Sequence, residues 1–175
     1  SGEASTEELK EAYRRLVKPL LIMRRPYRVT DLREERGNAW TLVVEPEGHS
    51  GFHFQPGQFA WVSLWHTPFA LREHPFSLAS SAEHPERLEL TIKELGDYTS
   101  QIGQVKIGEA IYLEGPYGAF SIDRQPQAGY VLIAGGIGVA PFMSILRTMA
   151  DRRSPVSCTG SVRGSPSATF SWRSP

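Results

Sequence analysis

The texture of the sequence changes once, near Gln125, and that change sets what the chain can become. From Tyr27 to about Asp123, apolar residues come in short β-rich runs cut by Gly, Pro, His and Glu. The runs are Trp40 to Glu45, Gln58 to Trp65 after the turn Pro56-Gly57, Phe76 to Ser81, Arg87 to Lys93, and Ala110 to Leu113. Arg87 to Lys93 alternates cleanly, with Leu88, Leu90 and Ile92 on one face and Glu89, Thr91 and Lys93 on the other. Short alternating runs between turn residues predict an antiparallel barrel or sandwich. After Gln125 the alternation stops. Tyr130 to Ala134 is continuously apolar, the pattern of a strand buried on both faces. A glycine turn follows, then a predicted helix from about Pro141 to Asp151, striped by Phe142, Ile145, Leu146 and Met149. Strand, turn and helix are the first half of a βαβ unit.

The ends differ from this middle. Residues 5–23 read as a helix: Ser5 and Glu8 form a capping-box pattern, and Leu9, Tyr13, Leu16, Val17 and Leu20 recur at helical spacing. Pro19 is expected to bend or end that helix early. Its far end is basic, through Lys18, Arg24, Arg25 and Arg28. A solvated helix end and a stretch on the cytoplasmic side of a preceding membrane helix both fit, and the sequence leaves the two open. Arg152 to Pro175 holds seven serines and lacks periodicity. The expectation there is a tail that is disordered or, from about Ser157, out of frame, with no completed nucleotide site.

Bulk properties narrow the function. The 175 residues carry formal net charge zero, which gives no electrostatic reason to expect a nucleic-acid partner. Cys158 is the single cysteine, so an internal disulfide and a multi-cysteine metal centre are excluded, and it reads most simply as a reduced intracellular thiol. The five histidines are scattered without metal-ligand spacing. No apolar run approaches the ~20 residues of a membrane-spanning helix.

Three motifs carry chemistry. The first is His74-Pro75-Phe76-Ser77-Leu78-Ala79-Ser80, with Arg72 just before it. Its aromatic ring suits a flat face and its hydroxyls suit a polar edge, although Phe76 would serve equally as core. The second is Leu90-Thr91-Ile92-Lys93 followed by Gly96-Asp97-Tyr98-Thr99-Ser100. A strand leading into a loop and helix start is a place for an anion, and equally a plain helix cap. The third is Gly135-Gly136-Ile137-Gly138-Val139-Ala140-Pro141, a glycine turn between an apolar run and a helix, with Pro141 expected at the first helical position.

Together these motifs resemble the ferredoxin–NADP reductase superfamily, whose flavin signature is Arg-x-Tyr-Ser-x-x-Ser. The form here, His-Pro-Phe-Ser, resembles most the ferric reductase and NADPH oxidase branch. The resemblance sets His74 in the Arg place and Phe76 in the Tyr place, with Ser77 and Ser80 in register. Pro56-Gly57-Gln58-Phe59 and Gly115-Pro116-Tyr117-Gly118 resemble two further turns of that family. The implied fold class is mainly β: an antiparallel Greek-key β-barrel FAD domain over residues 27–125, then the start of an incomplete α/β nucleotide-binding domain over 126–151. Residues 1–26 would be a helical lead-in and 152–175 an atypical tail.

The implied cofactors are FAD and NAD(P)H as electron donor. FAD contacts are expected from Arg72, His74, Pro75, Phe76, Ser77, Ser80, Thr91, Ile92, Lys93, Tyr98, Thr99 and Ser100. Gly135, Gly136, Gly138 and Pro141 are expected to meet the nicotinamide nucleotide. No side chain is expected to act as acid or base, and no metal is expected. Electrons would leave for an acceptor such as a membrane haem domain, at the cytoplasmic face. The competing expectation is a flavin-binding electron-transfer module with no NAD(P)H activity of its own. A third is a chain that does not hold FAD stably.

Overall fold

The computed structural model describes residues 5–64, 73–127, 130–152, 158–160 and 170–172. The lead-in is helical, as its periodicity predicts. Helix α1 (Thr6–Ala12) opens on the capping box, with the Ser5 hydroxyl accepting the Glu8 N–H at 3.3 Å and the Glu8 carboxylate accepting the Ser5 N–H at 2.7 Å. A π-helical turn, Tyr13–Val17, then leads into α2 (Lys18–Met23). Pro19 does not end the segment. It sits at the start of α2, where a missing N–H costs little, and the wider π-turn precedes it.

Six strands follow: β1 (Pro26–Glu35), β2 (Ala39–Pro46), β3 (Phe59–Ser63), β4 (His74–Ser77), β5 (Leu88–Lys93) and β6 (Ala110–Tyr117). All pairings are antiparallel, in the order β4-β3-β6-β1-β2-β5. The two outer strands meet through one bridge, Leu78 to Leu90, and the adjoining Ala79 N–H donates to the Glu89 carbonyl at 2.7 Å. The sheet thereby closes into the expected antiparallel barrel. Leu88, Leu90 and Ile92 of β5 point inward and are fully buried, as their alternation predicts. Val62, Leu78 and Ile111 meet them in one core.

Several boundaries differ from the sequence reading. Strand β1, the longest, is not among the predicted runs. Only Tyr27 and Val29 of it are fully buried, and its charged second half gives no apolar period. Strand β6 continues through Gly115 and Pro116 to Tyr117 because β3 supplies backbone partners there, Phe59 pairing with Tyr117. Strand β4 stops at Ser77 rather than Ser81, since the following segment leaves the sheet after its bridge to β5. Trp65 and Arg72 lie outside the described residues.

The larger correction is at 130–134. This run forms no strand, and Val131 and Ile133 are 88% and 84% exposed. A strand needs a neighbour for its N–H and C=O groups, and none of the described strands runs beside it. A short 3-10 turn, Gly136–Gly138, leads into helix α3 (Val139–Asp151), so Pro141 is its third residue, not its first. The buried face of α3 is Ala140, Ser144, Ile145 and Thr148, not the expected apolar stripe, of which only Ile145 is fully buried. In the tail, two short strands, β7 (Cys158–Gly160) and β8 (Phe170–Trp172), pair antiparallel, and most of the remaining tail lies outside the described residues.

Candidate functional site: the seam between β4 and β5

The first two motifs converge on the place where the barrel closes. From the bridge at Leu78 and Leu90, β4 runs back through Ser77 to His74 paired only with β3, while β5 runs on through Thr91 to Lys93 paired only with β2. The two strands therefore diverge, each with one edge of backbone groups that none of the described strands covers. Side chains alternate along both. Leu78 faces the core, while Thr91 and Lys93 lie opposite it, on the outer face.

On the rim beside β4, the His74 and Tyr98 rings stack at 4.0 Å between centroids, tilted by 30°. The Tyr98 hydroxyl accepts the Leu64 N–H at 2.9 Å and donates to the Val62 carbonyl at 3.3 Å, so it pins its loop to the end of β3. Burial pushes the Tyr98 phenol above its ordinary value, which keeps it protonated for that donation. Phe76 is half-buried against the core, 6.5 Å from the His74 ring, and Pro75 is exposed. The loop then enters a 3-10 helix, Thr99–Gln104. Thr99 and Ser100 use their hydroxyls within the loop: Thr99 accepts from the Leu95 and Gly96 N–H groups at 2.9 and 3.2 Å, and Ser100 donates to the Asp97 carbonyl at 3.2 Å.

On the outer face, a cleft of about 550 Å³ separates the barrel from the start of α3. Ala79, Thr91 and Lys93 form one wall, Gly136 and Arg147 the other, and Arg36 closes it from the β1–β2 hairpin. That hairpin turns on Gly37 and Asn38, both at positive φ (82° and 56°), a conformation that Gly and Asn tolerate best. The second and third motifs thus share a cavity. Thr91 is fixed by the Thr41 hydroxyl at 3.2 Å, which in turn donates to the Glu35 carboxylate at 2.9 Å. Ile92 is a correction: its side chain is inside the barrel, 1% exposed, so only its backbone faces the seam edge.

Residues 27–121 match the family profile described as the FAD-binding domain. This chain belongs to that FAD-binding family.

Its relatives agree. The reductase component of propane 2-monooxygenase from Rhodococcus jostii is 32% identical over 127 residues, covering 71% of this chain and 34% of that protein. The probable dihydroorotate dehydrogenase B (NAD(+)) electron transfer subunit of Methanopyrus kandleri is 32% identical over 152 residues, 87% of this chain and 51% of that one. Dual oxidase 1 of Canis lupus familiaris is 35% identical over 118 residues, 62% of this chain and 7% of the oxidase. Among solved structures, Amycolatopsis cytochrome P450 reductase superposes with a TM-score of 0.63 at 22% identity, over 75% of this chain and 40% of that one, which shows the shared fold. The chain thus spans about a third to a half of the first two relatives. The ferredoxin–NADP reductase-like superfamily, with NADPH oxidase relatives, is the one its motifs resemble.

The cofactor of this family is FAD, and one observation tests its fit to the seam, while a second concerns the nicotinamide nucleotide. The Ser80 hydroxyl is buried, at 5% residue exposure, with no hydrogen-bond partner among the described residues, a cost that a buried polar group does not ordinarily bear. Beside α3, a Cβ at Gly135, Gly136 or Gly138 would meet nothing within 4 Å, so packing does not demand these glycines, and only Gly136 needs its residue type for a positive φ of 54°. The space next to that turn is open to a close backbone approach. The residues fit the cofactor.

Some motif residues are structural. The Gln58 side chain of the Pro56-Gly57-Gln58-Phe59 turn donates to the Gly118 carbonyl at 3.0 Å, which joins the two turn motifs, and its backbone carbonyl accepts the Leu78 N–H at 3.0 Å, which braces the seam from behind. Conversely, the sequence reading missed Glu89 and Arg147. Glu89 stands on the face expected to be solvated, yet it is buried against Arg33, Arg87 and Arg147 at 3.1, 2.8 and 2.6 Å. Burial would raise its pKa, but Arg147 first, then Arg33 and Arg87, hold the carboxyl below its ordinary value. An Arg amid the apolar residues of a helix was the one available signal.

Proposed function

We propose that the chain is the flavin-holding part of an NAD(P)H-dependent oxidoreductase that passes electrons to a separate acceptor. The observation that carries this reading is the convergence of the His74–Ser80 and Thr91–Lys93 segments on two uncovered strand edges, beside the glycine turn before α3. The family match and the relatives' names, among them a reductase component and an electron transfer subunit, support it. Residues 27–125 would form the flavin unit and 126–151 would open the nucleotide unit.

Each residue has a task in this reading. Phe76 and the His74–Tyr98 stack offer aromatic surface at the rim. Ser77, Ser80 and Thr91 offer hydroxyls, and Lys93 offers positive charge in the outer cleft. The 96–100 loop, with Thr99 and Ser100 bracing it, would present the backbone N–H groups of residues 97–99 to a phosphate. Arg72 completes the first motif from outside the described residues. Gly135, Gly136 and Gly138 let the nicotinamide nucleotide approach backbone closely, and Pro141 would meet it from the first turn of α3. FAD, when bound, supplies the ability to take electrons as a pair and release them singly. The protein's share is to bind, orient and shield it.

The acceptor would be a protein redox centre, whether a soluble oxygenase partner or a membrane haem domain, with the flavin unit on the cytoplasmic side. No described helix is long and apolar enough to cross a membrane. A second reading, an electron-transfer module without NAD(P)H activity of its own, draws on the exposed Val131 and Ile133, since a nucleotide site needs that segment held in a sheet.

Titration of the purified chain with FAD, then anaerobic addition of NADPH or NADH, separates the readings by absorbance. A bound flavin that bleaches supports the reductase. A bound flavin that persists supports the module. No perturbed flavin spectrum sinks both.

A further inference from the structure

Helix α3 follows the nucleotide turn in sequence, yet its contacts are with the flavin seam. Two positions on its last two turns, and Arg152 just past its end, reach the segment that leaves β4. Arg147 donates to the Ala79 carbonyl at 2.7 Å and to the Glu89 carboxylate at 2.6 Å. The Thr148 hydroxyl accepts the Ala82 N–H at 2.9 Å. Arg152 pairs with Glu83 at 2.5 Å and, with two nitrogens, with Asp123 at 2.6 and 3.0 Å. Between these anchors lies Ser80, whose buried hydroxyl has no partner among the described residues.

Arg147 differs from the other two because of what it joins. The Ala79 N–H donates to the Glu89 carbonyl, and this bond, a rung with the Leu78–Leu90 bridge beside it, closes the barrel. Arg147 holds the carbonyl of one residue of that rung and the side chain of the other. It therefore spans the closure from outside, at the point from which β4 and β5 diverge.

We propose that Arg147 is a positioning residue for the flavin. Through Ala79 and Glu89 it fixes the closing rung, and with it the angle of the two strand edges and the placement of Ser80. The proposal rests on the flavin reading above. It makes α3 a wall of the flavin site, a role separate from the nucleotide turn that precedes it. A lysine at 147 reaches one of the two acceptors at a time and would hold the rung only in part.

The test compares Arg147→Met, Arg147→Lys and Arg152→Met in the full 175-residue chain. Each is measured for FAD dissociation constant, for melting temperature, and for hydrogen exchange of the Ala79 and Ala82 amides without FAD. Arg152→Met removes a comparable α3 anchor away from the rung. Arg147→Met is expected to raise the FAD Kd about tenfold, the scale of one lost charged hydrogen bond, and Arg147→Lys to fall between. Ala79 exchange should quicken in Arg147→Met and not in Arg152→Met, although both variants lower the melting temperature. An unchanged Kd in Arg147→Met, or equal losses in Arg147→Met and Arg152→Met, overturns the proposal. If the unaltered chain takes up no FAD, the flavin reading falls. The clamp on the rung is then judged by the exchange contrast alone, and equal Ala79 exchange in the two methionine variants overturns that as well.

Discussion

Two segments look like buried strands in the sequence, and only one becomes a strand. Leu88–Lys93 pairs with β2 and buries Leu88, Leu90 and Ile92 completely. Tyr130–Ala134 is more apolar and remains unpaired, with Val131 and Ile133 in solvent. Apolar pattern gives a segment a reason to be buried, but backbone pairing decides whether it becomes a strand. Strand β5 has β2 waiting on one edge and the β4 bridge on the other.

Substitutions should expose this difference most sharply at equivalent leucine-like positions. Leu90→Ala is expected to cost about 2–5 kcal/mol of unfolding free energy, because it empties a fully buried site in the barrel. Ile133→Ser should stay within about 0.5 kcal/mol, as for any exposed position. Urea unfolding followed by tryptophan fluorescence reads both. Similar losses would mean that 130–134 is packed in solution.

The polar face of β5 offers a smaller effect with a pH signature. Glu89→Gln should cost about 1–2 kcal/mol at neutral pH, modest because its arginine partners are partly solvent-exposed. The folded pKa of Glu89 is lowered, so its stabilisation is present above the ordinary carboxylate range and is lost as pH falls through the folded value. Melting curves of the unaltered chain and Glu89→Gln should therefore converge on acidification. A gap that stays constant down to strongly acidic pH would show that Glu89 acts by shape and not by charge.

Ser80 should give the smallest change in stability. Its hydroxyl has no partner among the described residues, so Ser80→Ala should leave the FAD-free melting temperature unchanged or slightly higher. The same change should weaken FAD binding several-fold, about 1 kcal/mol for one hydrogen bond. A clear loss of stability without FAD would point to a partner inside the protein.

Much of the barrel was legible because alternation reports a sheet with one face in a core. Leu88, Leu90 and Ile92 are examples, and the flavin motif was legible because its order of residues is unusual. The rest was hidden for physical reasons. Strand β1 places only Tyr27 and Val29 deep in the core, and its charged half reads as loop. Glu89 reads as solvent-facing because nothing in its neighbours announces an arginine from a helix 58 residues later. Pro116 reads as a turn residue although β6 passes through it, since the register with β3 shifts there between Glu114 and Tyr117 and a proline without an N–H fits such an irregularity. Local sequence records what a residue prefers, and long-range pairing decides what it receives.

The narrow closure has a consequence for how such a chain behaves in a crowded solution. A barrel normally has no free sheet edges, but among the described residues two edges stay uncovered by strands, along His74–Ser77 and along Thr91–Lys93. Uncovered edges are templates on which strands of other molecules can grow. A cofactor seated between them would shield both at once. Loading with FAD should then keep the chain monomeric as well as make it redox-active, and cofactor-starved protein should be the fraction lost to self-association.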